Sequence, residues 1–99
     1  MLTKKQLYKM LKEAEEEGRR RIWNKFLEDF VLLDIKDNKD IDMIYEHYIA
    51  SMEEKNEKFG IGMFDHYWTF LYENNTLIKI RVEDAFGDGG VEWELFHYQ

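Results

Sequence analysis

The chain has no cysteine and no proline. Without cysteine there is neither a disulfide framework nor a thiolate-ligated zinc site. Without proline, folding carries no prolyl isomerisation step. No apolar run is long enough to span a bilayer, and the opening Met-Leu-Thr-Lys-Lys-Gln lacks the apolar core of a secretion signal. These absences lead us to expect a soluble cytoplasmic protein. The 99 residues suffice for a single α+β domain over 1–99 but not for two cores. At 44% hydrophobic and 16% aromatic, the chain is too apolar for a disordered acidic tail.

What the chain has in excess is negative charge, unevenly divided. Residues 1–27 hold eight Lys and Arg against four Glu and carry +4. Residues 28–99 hold six Lys and Arg against 17 Asp and Glu and carry −11. A basic first segment on an acidic body repels like-charged surfaces and steers opposite ones.

Thr3 followed by Gln6 fits a capping box, and Leu7, Met10, Leu11 and Ala14 recur at helical spacing. Glu15–Arg19, Glu16–Arg20 and Glu17–Arg21 are i,i+4 pairs, each contributing roughly 0.2–0.5 kcal/mol. Together they rival the roughly 1 kcal/mol cost of an interior glycine. We therefore expect one long or bent helix over about 3–33, bent at Gly18 because the apolar stripe changes face there. The polar connector 34–40 precedes a second helix over about 40–59. Its stripe is Ile41, Ile44, Tyr45, Tyr48, Ile49, Met52 and Phe59, and Gly60 suits its end.

Beyond Phe64 the pattern alternates. It predicts a three-stranded antiparallel meander over about 66–73, 77–83 and 91–98, with Asn74-Asn75 as a two-residue turn. The expected fold class is thus α+β, with N-terminal helices packed on that meander. If Asn74-Asn75 sets the register, Leu71 faces Ile78, Thr69 faces Ile80 and Tyr67 faces Val82 on the core side. Val91, Trp93 and Leu95 join that side. The second face then carries Trp68, Phe70, Tyr72, Phe96 and Tyr98, an aromatic patch large enough to call for a covering helix, a second copy in a homodimer, or a partner.

Two charged clusters are candidate surfaces. Asp42, Glu46, Glu53 and Glu57 lie within about 60° of one another on a helical wheel. Asp84, Asp88, Glu92 and Glu94, with Glu83, follow Arg81 with no further Lys or Arg. Rows of carboxylates can imitate nucleic-acid phosphates before a basic cleft; they can equally be a solvated face. Arg19-Arg20-Arg21 could hold phosphate, but Glu15–Glu17 stand ready to neutralise them. The sheet pairs Trp68/Arg81 and Phe70/Lys79 could stack bases, yet Glu92 and Glu94 oppose the positive field this needs.

Enzymatic signals are weak. His47, His66 and His97 do not converge on a metal. Asn38, Asp40 and Asp42 resemble a calcium loop, but Met43 and Ile49 stand where glycine and glutamate are required. Gly87–Gly90 lacks the spacing of a phosphate loop, and no nucleophile–histidine constellation is visible. We expect no cofactor, no metal and no catalysis. The leading expectation is a small acidic inhibitor that occupies a basic nucleic-acid-binding cleft of another protein without binding nucleic acid itself. Phage anti-restriction and anti-CRISPR proteins act this way, an analogy of size and charge alone. The alternatives are a nucleic-acid module using the basic first helix, and a helix-plus-curved-sheet cone holding a small ligand.

Overall fold

The computed structural model describes residues 1–23, 41–54, 56–63, 66–84 and 89–95. The expected helix beyond Trp23, the connector 34–40, the turn residues 86–88 and residues 96–98 lie outside them. The elements in chain order are α1 (Lys4–Glu16), β1 (Arg20–Ile22), α2 (Ile41–Glu54), β2 (Lys58–Met63), β3 (His66–Glu73), β4 (Thr76–Glu83) and β5 (Gly90–Glu94). The class is α+β. The sheet is antiparallel and five-stranded, in the order β1-β5-β4-β3-β2, rather than a three-stranded meander. The helices do not all precede the strands, because β1 separates α1 from α2.

α1 starts as its sequence predicts. Gln6 N–H donates to Thr3 Oγ1 at 3.1 Å, and Thr3 N–H donates back to Gln6 Oε1 at 2.8 Å. Leu7, Met10, Leu11 and Ala14 are buried. The helix does not run through Gly18. Gly18 adopts φ +72°, its N–H bonds Glu15 O at 3.2 Å, and Arg19 N–H bonds Ala14 O at 2.7 Å. These two bonds close a Schellman motif, which a glycine in the left-handed region favours. The expected i,i+4 pairs give way to Arg20–Glu15, Arg19–Glu17 at 2.8 Å and Arg21–Glu94 at 3.0 Å. Pairing with β5 turns Arg20–Ile22 into a strand, with Arg20 opposite Trp93 and Ile22 opposite Val91.

α2 buries Ile41, Ile44, Tyr48 and Ser51, and ends at Glu54 rather than near 59. Phe59 and Gly60 belong to β2. The hairpin turn is where the sequence put it. Asn74 and Asn75 both have positive φ, 51° and 64°, as a tight hairpin turn requires. The expected register holds only at the turn, where Tyr72 faces Leu77. Between Leu71 and Tyr72 it shifts, with Leu71 opposite Lys79, Phe70 opposite Ile80 and Trp68 opposite Val82. Ile78 is the extra residue of a bulge, and its carbonyl accepts from Leu95 N–H at 2.7 Å.

That one residue reverses the faces of β3. Trp68 and Phe70 are wholly buried with Ile80, Val82, Val91, Trp93 and Leu95, beneath both helices. They form no exposed aromatic patch. Tyr67, expected in the core, is 47% exposed. Thr69 is buried and Leu71 half-buried on the opposite face. Among the described residues, no helix is long and apolar enough to cross a membrane.

Candidate functional site

The outer sheet face carries charge that is internally matched. Glu92, buried on β5, meets Lys79 Nζ at 3.2 Å and Arg81 Nε at 2.8 Å. Arg81 also reaches Glu83 at 3.1 Å, and Glu94 pairs with Arg21. The Arg81 guanidinium lies over the Trp23 ring, 5.2 Å from the ring centroid, and the indole covers Gly90, where it would collide with a Cβ. Arg81 therefore stacks on Trp23, not Trp68. Glu92 and Glu94 are thus spent within the sheet. Asp84 follows β4, its N–H on Gly89 O at 3.4 Å. Asp88 lies outside the described residues.

The acids of α2 are disposed differently. The helix holds Asp42, Glu46, Glu53 and Glu54 and no Lys or Arg. Asp42 is bonded by Lys4 Nζ at 2.5 Å, which ties α1 to α2. Glu46, Glu53, Glu54 and Glu57 are exposed and, among the described residues, have no ion pair. Glu57 lies past the helix rather than on it, and its carbonyl accepts from Tyr72 N–H at 2.7 Å. Glu53 and Glu54 sit at the negative end of the helix dipole, where carboxylates are unfavourable by roughly 0.3–1 kcal/mol each.

Beside these acids is a groove of about 230 Å³ lined by Ser51, Met52, Asn56, Glu57, Tyr72, Asn74 and Asn75. Ser51 donates to Tyr48 O at 2.6 Å, and this uses its only proton. The Tyr72 hydroxyl, in hydrogen-bond contact with Ser51 Oγ, is then the donor of that pair. Burial pushes the Tyr72 phenol up to about 12, and Tyr48 is raised by the same cause. The groove thus offers a neutral phenol, three amides and a carboxylate, which suits hydrogen bonding rather than acid–base chemistry. No cluster of metal-ligating residues occurs among the described residues. Ser51 was not singled out from the sequence, although a serine amid the apolar stripe of α2 was its signal.

A pH dependence follows. Between the ordinary tyrosine value of 10 and about 12, Tyr72 stays protonated in the folded protein and ionises in the unfolded chain. Its contribution is complete below pH 10 and is lost as the pH rises towards about 12. Thermal melts across this range should show a steeper alkaline decline for the parent than for Tyr72→Phe. Parallel declines would remove Tyr72 as a cause.

No protein-family model matches the chain, and neither a curated protein nor a solved structure does.

Proposed function

We propose that this chain is a small non-enzymatic binding protein whose acidic surface, Glu46, Glu53 and Glu54 on α2 with Glu57 just past it, meets a basic surface on another protein, the kind of surface that otherwise holds nucleic acid. The observation that carries the reading is the contrast between two sets of acids. Glu83, Glu92 and Glu94 on the sheet are matched by Arg21, Lys79 and Arg81, whereas Glu53 and Glu54 at the end of α2 are unmatched and oppose the helix dipole. Charge kept where it costs stability is better explained by a partner than by the fold. The nucleic-acid-binding alternative is weakened, because Arg19, Arg20 and Arg21 each have a carboxylate partner within the chain.

The test is the joint variant Glu46→Gln, Glu53→Gln, Glu54→Gln, Glu57→Gln. Amides keep size and most helix propensity. The variant should melt at the same temperature as the parent or higher, and it should lose basic proteins that the parent captures from the source cell. Parent binding should weaken as salt rises, and nucleic acid should compete for the same partner. The parent alone should not shift DNA or RNA at physiological salt. Capture unchanged by the four substitutions, or direct salt-sensitive binding to nucleic acid, would reject the reading.

A further inference from the structure

The two edges of the sheet are treated differently. β1 is three residues long and carries Arg20 and Arg21, two devices that discourage a further strand from adding. β2 is six residues long, reads Lys-Phe-Gly-Ile-Gly-Met, and has a single charge at its start. No bulge interrupts its pairing with β3.

The hydrogen-bond parity of β2 fixes which backbone groups face outward. Glu57 O accepts from Tyr72 N–H, in the same register that pairs Lys58 with Leu71. In an antiparallel ladder, residues alternate between facing the neighbour and facing away. Phe59 and Ile61 therefore spend their backbone groups on β3, while Lys58, Gly60 and Gly62 point theirs away from the sheet. Those three amides and carbonyls have no partner among the described residues. Two of the three outward positions are glycine. Nothing lies within 4 Å of a Cβ built on Gly62, and one built on Gly60 would collide with the Tyr67 ring, which lies over that glycine. Among the described residues, β2 has no further strand beside it, and its outward residues Lys58, Gly60 and Gly62 are exposed.

We infer that β2 is a dimerisation edge, pairing antiparallel with β2 of a second copy about a two-fold axis at Gly60. The occupant is argued from self-complementarity. With Gly60 opposite its own copy, Lys58 faces the copy's Gly62, so the only charge on the strand meets no like charge. The outward groups of the three residues then form about six main-chain hydrogen bonds. Phe59 stands directly across from the copy's Ile61 in the closely spaced, non-hydrogen-bonded position. Both side chains are half-buried at the rim of the core, so the pairing extends the apolar layer across the axis. The result is a continuous ten-stranded sheet. Each protomer carries −7, so screening by salt strengthens this association. Capture of a basic partner responds to salt in the opposite sense, and the two therefore separate experimentally.

The experiment is sedimentation velocity on the full chain over a wide dilution series, at low and at physiological salt. The parent should move from monomer to dimer as concentration rises, more readily in salt. Gly62→Ala keeps the outward N–H and should dimerise like the parent. Gly62→Pro removes that donor and places its ring in the path of the incoming strand, at an edge position where proline is compatible with a strand. It should raise the dimer dissociation constant at least about tenfold. A parent that stays monomeric throughout, or a Gly62→Pro protein that pairs as well as Gly62→Ala, overturns the inference. If Gly62→Pro does not fold, amide chemical shifts of Gly60 and Gly62 in the parent decide: they move with concentration if this edge pairs, and a dimer that leaves them unmoved overturns it.

Discussion

Trp68→Ala is expected to cost about 3–5 kcal/mol, a large share of the roughly 5–15 kcal/mol available to a domain of this size. Trp68 and Trp93 are both fully buried, and their rings stack with centroids 6.3 Å apart and planes 11° from parallel. They meet across β4, where Ile80 and Val82 separate the two strands that carry them. Removing one indole takes away its own burial and one face of its neighbour's packing, and the sheet framework leaves little room to collapse into the hole. Urea unfolding followed by far-ultraviolet circular dichroism measures the loss. An indole on an open sheet face, as the alternation around Asn74-Asn75 implies, would cost only about 0.5 kcal/mol. A loss that small would reject the bulged register.

The second large effect is expected at Ile80. Ile80→Ala should cost about 2–5 kcal/mol, while Ile78→Ala should cost clearly less. Ile80 is wholly buried between Phe70 and Trp93. Ile78 is half-buried and occupies the bulge, where its carbonyl matters more than its side chain. The same unfolding measurement on the pair reads the bulge directly, because a regular strand would give the two residues, an even number of positions apart, equal burial. Equal losses would place the irregularity elsewhere.

Local chemistry was legible in the sequence where a single element decided the outcome. Thr3 and Gln6 cap α1, Ile41, Ile44 and Tyr48 define the face of α2, and two consecutive asparagines make the turn. Val91, Trp93 and Leu95 face the core as their alternation predicts. What was not legible was decided at long range. Within a helical window the Glu–Arg pairs around Gly18 look self-sufficient. Their rival is a ladder between Arg20–Ile22 and residues some 70 positions later, which no window contains. Phe59 satisfies the helical period of α2 and the alternation of β2 equally well, and only the strand partner chooses between them. The bulge did leave a trace: Leu77, Ile80 and Val82 are apolar at spacings of three and then two, and both Leu77 and Ile80 are buried. The wide aromatic set of Trp68, Phe70 and Tyr72 was a second trace, since a patch that large belongs inside.

The candidate site divided along similar lines. Glu46 and Glu53 could be named from the wheel of α2 because exposure on a helix is a local property. That Glu92 and Glu94 offset Lys79 and Arg81 was legible from the strand alternation, but the Arg21–Glu94 pair was not, because Arg21 reaches β5 only once β1 pairs with it. The Ser51–Tyr72 contact joins residues 21 positions apart on a helix and a strand, and depends on the corrected face of β3.

The pairing of β1 with β5 bears on how the molecule is made. During synthesis the chain emerges amino end first, and α1 can coil as soon as it leaves the ribosome. Arg20–Ile22 must wait until residues 91–93 are out before they have a neighbour. Through that interval β4 has one of its flanks bare, and Trp68 lacks the ring against which it will stack. Contacts this distant along the chain slow folding, since their entropic cost precedes their reward. The nascent protein is therefore most exposed to misassociation just before its last strand arrives, and the seating of β5 between β4 and β1 completes the sheet.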